Sequence, residues 1–321
     1  MSTGAEISPT LDVRLRMCAA VGRMARSLPG FRGKSRLGRS LASKLLIGRR
    51  KAWVPVELAG GEKLLLDPRG RTESAAFYHG KLDEDDLDFF RQCVTRNSVA
   101  MDIGANIGLI SIPLGRHLQG LEGRLFSIEP VANNAGRLRA NIQLNGLERI
   151  VSVMECALGE SEGSMEIGRE AGGGSETGNA ALRPGAEAIG RELEWTTTRV
   201  RRLDDVAEDL VLTGLDFIKI DVEGAELTVL KGGMTTIERF RPIIYGEFSS
   251  QGMPKFGGTF ADVGTLLSPL GYRVMAFRKR LDLVDVNFEA GRGNAVLCPV
   301  EKARWILERC AKARKAEGSY E

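Results

Sequence analysis

One segment constrains this chain more than any other: Ser98-Val-Ala-Met-Asp-Ile-Gly-Ala-Asn-Ile-Gly-Leu-Ile-Ser111. An apolar run ends on Asp102, a turn follows on Gly104, Asn106 and Gly108, and a helical pattern begins. A strand that turns on glycine into a helix opens a βαβ unit, and open α/β sheets bind ligands at the carboxyl ends of such strands. Further short apolar runs stand at 124–128, 150–155, 216–220, 243–245, 273–277 and 295–297, each followed by a helical segment. That alternation predicts an α/β fold with a doubly wound, mostly parallel sheet. Residues 161–198 break the rhythm. They are polar, contain Gly172-Gly173-Gly174, and are expected to form a hairpin and a long surface loop inserted between sheet elements.

The spacing at the glycine turn limits what could bind there. A dinucleotide fold needs G-x-G-x-x-G, whose middle glycine admits a pyrophosphate to the helix N-terminus. Here Ala105 and Asn106 follow Gly104, giving D-x-G-x-x-x-G. Asp102 would repel a phosphate and suit a cationic or zwitterionic ligand. Glu129 ends the next run, where an acid can accept hydrogen bonds from both hydroxyls of a ribose. Two acids so placed describe a nucleoside without phosphates, and S-adenosylmethionine is such a ligand. Its adenosine half is expected at Glu129, Cys156 and Ala157, its amino-acid half and sulfonium at Asp102 and nearby backbone carbonyls.

A second constellation begins at Asp216-Phe-Ile-Lys-Ile-Asp-Val-Glu-Gly-Ala-Glu226, which delivers Asp221 to a strand end with Glu223 and Glu226 just behind it. Acids there can serve as a base or hold a hard divalent cation. Glu223 and Glu226 can instead stabilise the following helix N-terminus and pair with Lys231. Glu247 ends the next run. In a doubly wound sheet Asp221 and Glu247 come from neighbouring strands, and this pair, assisted by Glu223, is the expected reacting centre. Whether Asp221 and Glu247 also hold Mg²⁺ is left open by the residues.

Composition narrows partners and compartment. Residues 1–51 hold 12 Lys or Arg against Glu6 and Asp12, whereas the other 270 residues hold 33 basic against 40 acidic. Leu11, Leu15, Cys18 and Ala25 share one helical face flanked by arginines, which predicts a short basic amphipathic helix. Residues 28–51, with Pro29, several glycines and many bases, are expected to be a mobile linker. Such an arm suits a solvated tail or peripheral contact with an anionic membrane. Nucleic acid is not an expected partner, because the rest of the chain lacks a basic, aromatic-interleaved face. Five cysteines without a C-x-x-C pair argue against a disulfide framework or a zinc knuckle and predict a reducing, cytoplasmic location, peripheral at the membrane if the arm docks. His79 and His117 are the only histidines, so H-E-x-x-H hydrolases are excluded. Gly159-Glu-Ser-Glu-Gly163 has nucleophile-elbow spacing, but both histidines precede it, and a β-turn is predicted instead. Gly33-Lys34-Ser35 resembles the end of a P-loop, yet Leu28 stands where the leading glycine must be.

Taken together, Asp102-Ile-Gly-Ala-Asn-Ile-Gly, Glu129-Pro130, Ile218-Lys-Ile-Asp-Val-Glu-Gly-Ala-Glu-Leu, Arg241-Pro242 with Glu247, and residues 294–299 closely resemble the FkbM-type family of S-adenosylmethionine-dependent methyltransferases. The resemblance spans roughly residues 77–299. It implies a Rossmann-like fold with a seven-stranded sheet whose last strand is antiparallel. It also implies cofactor binding by Asp102, Gly104, Asn106 and Glu129, and methylation of a hydroxyl on a sugar, glycan or natural product. The expected organisation is a basic arm (1–52), a hairpin-and-helix lead-in (53–97), the methyltransferase domain (98–300) and a C-terminal helix (301–321). Two other functions compete. An NAD(P)-dependent oxidoreductase on the same sheet is opposed by Asp102 and the missing middle glycine, and a non-catalytic nucleoside-binding module would leave the acid cluster without a task.

Overall fold

In the computed structural model the described residues are 12–31, 33–49, 51–82, 84–170, 181–182, 193–288 and 293–317. The chain begins with two helices, α1 (Val13–Ser27) and α2 (Lys34–Leu45), and the hairpin β1 (Val54–Glu57) and β2 (Lys63–Leu66). Then come α3 (Arg71–His79), α4 (Glu84–Cys93), β3 (Val99–Ile103), α5 (Ser111–Gly120), β4 (Arg124–Ile128), α6 (Ala132–Leu144) and β5 (Val151–Met154). β6 (Ala157–Leu158) stands just before the insertion, which contributes β7 (Gly163–Glu170), β8 (Ala181–Leu182) and most of β9 (Leu193–Arg201). The chain closes with α7 (Leu203–Asp209), β10 (Phe217–Ile220), α8 (Glu226–Lys231), α9 (Met234–Phe240), β11 (Ile243–Phe248), α10 (Phe260–Leu267), β12 (Tyr272–Lys279), β13 (Asp282–Val286), β14 (Gly293–Pro299) and α11 (Val300–Glu317).

The main sheet has the order β13-β12-β14-β11-β10-β3-β4-β5. Its strands β11, β10, β3, β4 and β5 are parallel, and β14 runs antiparallel between β11 and β12. All four residues of β10 are buried. Helices on both faces exclude water from such strands, so they read as continuous apolar runs rather than alternating ones. The seven expected strands and the antiparallel last strand are present. An eighth, β13, pairs with β12 at the sheet edge. Of its two acids, Asp285 is exposed, whereas Asp282 is buried and pairs with Arg278 and Arg314.

The insertion is a hairpin, as expected: β7 and β9 pair antiparallel from Gly163–Val200 to Glu170–Leu193 and, with β6 and β8, make a second four-stranded sheet. The Gly172-Gly173-Gly174 run lies outside the described residues. Residues 159–162 link β6 to β7 through a bend.

The N-terminal expectation needs correction. Residues 28–51 carry the twelve-residue helix α2 rather than a mobile linker. Its glycines serve packing: a Cβ on Gly38 would strike the Tyr78 ring, and one on Gly22 of α1 the Phe77 ring. Both helices thus press their backbones onto α3. Leu15, Cys18, Ala19, Ala42 and Leu46 join Phe77 and Tyr78 in one core, although Leu11 lies outside the described residues. Arg26 Nη1 donates to Phe77 O at 2.7 Å, and Lys34 Nζ to Leu28 O at 3.0 Å. A buried ion pair fastens the next layer: Arg137 on α6 donates to Glu73 on α3 at 2.6 and 3.0 Å, and Glu73 also accepts from Asp67 N at 2.5 Å.

Candidate active site

The turn after β3 is shaped by the chain itself. Gly104 has φ +78°, and a Cβ there would lie 1.9 Å from the Asp221 carbonyl oxygen. The glycine is demanded by the close approach of the β10 end, a different reason from the ligand contact the spacing suggests. Gly108 has φ +95°, and its added Cβ would meet Leu138 at 2.6 Å, so it serves helix packing and forms no wall of the site. Gly104 N and Ala105 N donate to Ile128 O at 2.9 and 3.0 Å, joining the turn to the end of β4. Asn106 takes a left-handed φ of 52°, which Asn tolerates, and its N–H donates to Glu129 Oε2 at 2.9 Å. Glu129 Oε1 accepts from Val131 N at 3.0 Å and Asn134 Nδ2 at 3.2 Å. Burial raises the Glu129 carboxyl above its ordinary range despite these bonds.

Asp102 is placed differently from its expected role. It is fully buried, and its register partner on β10 is Lys219. Lys219 Nζ lies 3.2 Å from Asp102 Oδ1 and 3.5 Å from Asp221 Oδ2, and donates to Gly104 O at 3.1 Å. Ser111 Oγ donates to Asp102 Oδ2 at 2.6 Å. Asp102 is therefore turned into the sheet interior, toward Lys219 and Ser111. Burial works to lower the Lys219 pKa, but Asp102 and then Asp221 outweigh it and hold the ammonium above its ordinary value. Sequence reasoning gave Lys219 no role. The available signal was a lone cation inside an otherwise apolar strand, which must find buried acids.

Asp221 and Glu247 do sit at the ends of neighbouring strands, since β10 and β11 pair in register up to Ile220 and Gly246. Asp221 N donates to Ile103 O at 3.0 Å. Glu223, at φ 58°, has an exposed side chain, yet its carboxyl is pushed up to about 7 by desolvation in the crowded turn and by Asp221, Glu247 and Glu226. Glu247, also exposed, is raised by desolvation and by Asp221. Glu226 is buried and accepts from Val222 N and Gly224 N at 3.2 and 3.1 Å, the helix-start role. Lys231 pairs with Glu160 at 3.3 Å instead of with Glu223 or Glu226.

These strand ends border a cavity of about 770 Å³, a volume that encloses a small organic ligand. Gly104, Asn106, Glu129, Cys156, Ala157, Lys219, Asp221 and Glu223 line it, whereas Asp102, Gly108 and Glu247 stand behind or beside the wall. Met165 and Ile167 of β7 form an apolar flank, so the insertion contributes to the site. Five lining carboxylates, Glu84, Asp85, Glu129, Asp221 and Glu223, face two ammonium groups, Lys81 and Lys219. The excess favours a cationic ligand. Among the described residues no group of three or more His, Cys, Asp or Glu side chains is arranged to hold a metal ion.

The methyltransferase FkbM domain matches residues 102–274, more than half of the chain, from Asp102 through the strands that carry Glu129, Asp221 and Glu247. The chain belongs to the FkbM methyltransferase family. It is similar to 2-O-methyltransferase NoeI of Sinorhizobium fredii, at 31% identity over 48% of this chain and 64% of that protein. It is also similar to methyltransferase sdnD of Sordaria araneosa, at 29% identity over 42% of this chain and 60% of that one. The chain thus spans less than two thirds of either relative. Among solved structures, methyltransferase FkbM from Methylobacillus flagellatus aligns at 17% identity and a TM-score of 0.42, over 88% of this chain and 58% of that one. Helices α1 to α4 precede the matched region, and among the described residues no helix is long and apolar enough to cross a membrane.

Proposed function

We propose that the chain is an S-adenosylmethionine-dependent O-methyltransferase whose acceptor is a hydroxyl on a small molecule or glycan. The observation that carries this reading is the carboxylate-rich cavity at the strand ends, with Glu129 in its wall beside Cys156 and Ala157. Membership of a methyltransferase family supports methyl transfer, and the likeness to a relative named as a 2-O-methyltransferase supports an oxygen acceptor. Each oxygen of a carboxylate can accept two hydrogen bonds. Glu129 Oε2 takes one from Asn106 and keeps capacity for a ribose hydroxyl. Cys156 and Ala157 border the adenine side, and the backbone of Gly104 to Asn106 borders the amino-acid side.

When bound, the cofactor supplies a methyl already activated on a sulfonium. The protein's task is to hold an oxygen nucleophile in line and remove its proton. Asp221 accepts that proton as the new C–O bond forms, and Lys219, 3.5 Å away, orients its carboxylate from behind. Glu223 shares the proton at the cavity wall, and Glu247 adds negative charge from the next strand. Met165 and Ile167 limit the access of water.

Asp221→Ala tests the assignment. Turnover of a hydroxyl acceptor is expected to fall at least a hundredfold while S-adenosylhomocysteine binding by calorimetry changes little. Loss of binding would move Asp221 into the cofactor site and overturn its role as proton acceptor.

A further inference from the structure

Exposed apolar side chains are concentrated in one part of the molecule. Among the described residues, eleven large hydrophobics are exposed, and eight of them lie between Val13 and Ile47. On α1, Val13, Met17 and Met24 are 71, 48 and 62% exposed. Spacings of four and seven residues put them on one stripe, and Leu28, just past the helix, continues it. The opposite face, with Leu15, Cys18, Ala19 and Gly22, is buried. The same helical spacing sets Arg14 on one flank of the stripe and Arg23 on the other. On α2, Leu37 and Leu41 are exposed one turn apart beside Arg36, while Ala42 faces the core. Both helices grip α3, through Gly22 on Phe77 and Gly38 on Tyr78; the α1 stripe lies opposite Gly22, and on α2 Leu37 and Leu41 lie to one side of Gly38, both exposed. From residue 13 to 51 the chain has no Asp or Glu.

We propose that the outer face of α1 and α2 docks on an anionic lipid bilayer. Apolar side chains on the crest and arginines along its flanks match the layered chemistry of such a surface, acyl chains beneath phosphates. A patch this apolar on one side of a folded body is unusual for a surface that meets only water. The proposal is independent of methyl transfer, but it has a geometric consequence. Helix α3 holds α1 and α2 through Phe77 and Tyr78 and lends Thr72, Ala75 and Ala76 to the cavity wall, so the docking face and the cavity are one helix apart.

Co-sedimentation of the full chain with phosphatidylglycerol/phosphatidylcholine vesicles tests this. Binding is expected to anionic vesicles, weakly or not at all to pure phosphatidylcholine, and to weaken as salt rises. Arg14→Gln, Arg23→Gln and Arg36→Gln should each reduce partitioning about fivefold. Met17→Ser with Leu37→Ser should reduce it at least tenfold at unchanged charge. All five sites are exposed, and unchanged melting of the variants in solution confirms that the fold is kept. No binding to anionic vesicles overturns the proposal. So does concentration-dependent dimerisation lost in Met17→Ser/Leu37→Ser, which would make the face a contact between copies. Binding to RNA that depends on the arginines but not on Met17 and Leu37 overturns it as well.

Discussion

The ammonium of Lys219 is shared among Asp102, Asp221 and the Gly104 carbonyl, so the acid ending β3 is neutralised inside the sheet while the acid ending β10 is oriented toward the cavity. Glu223 then becomes the group that titrates near neutrality. A carboxyl whose folded pKa, about 7, lies above its ordinary 4.5 stabilises the fold at low pH, and that contribution is lost as pH rises through 7. Glu129, Glu226 and Glu247 are raised in the same direction. The ligand-free melting temperature is expected to fall between pH 5 and 8, less steeply in Glu223→Gln. The same ionisation is needed for proton acceptance, so kcat/KM should rise through about pH 7, and this limb should flatten in the variant. A pH–rate profile unchanged by Glu223→Gln would remove Glu223 from the proton path. Asp221 and Glu247 were legible because acids ending successive apolar runs must meet at one sheet edge. The burial of Asp102 was not legible because its partner Lys219 is distant in sequence, and only strand order brings the two together.

Among the elements, α3 is the least legible, and it joins α1 and α2 to the cavity wall. Its sequence, with Gly70 before it and Gly80 behind, has little amphipathic pattern, because the helix is covered by α1 and α2, by the Glu73–Arg137 pair and by the cavity. Helix α2 was misread for a related reason: glycine and lysine suggest a linker until the Tyr78 ring that fills the space at Gly38 is known. The Arg137 and Glu73 side chains are 1 and 0% exposed, and Arg137 also lies over the Trp53 ring at 5.6 Å. Removing one member strands a buried charge, at a cost of about 3–5 kcal/mol. Arg137→Met is expected to lower the melting temperature by about 6–10 °C, and Arg137→Met/Glu73→Leu by clearly less. Melting of the single variant at the parent temperature would show that the pair does not hold the lead-in to the sheet. The parallel strands, by contrast, were found to within three residues at either end, because full burial leaves a short continuous apolar run.

For the molecule as a whole, the charge asymmetry of the sequence corresponds to two surfaces: a basic, apolar-crested face on α1 and α2, and an acid-rich cavity at the carboxyl edge of the sheet. Fold class and cavity edge could be inferred because they follow from the order of apolar runs. The packing of the arm onto the body could not, since it rests on contacts between side chains far apart in sequence. The central claim is that this cavity takes a cationic nucleoside cofactor rather than a dinucleotide. Thermal unfolding with S-adenosylhomocysteine or NAD, each at saturating concentration, tests it most directly. A ligand at a hundredfold excess over its Kd stabilises by about 2.7 kcal/mol, or about 5 °C in a chain of this size. The account predicts that shift with S-adenosylhomocysteine, its loss in Glu129→Ala, and none with NAD; stabilisation by NAD with none by S-adenosylhomocysteine would contradict it.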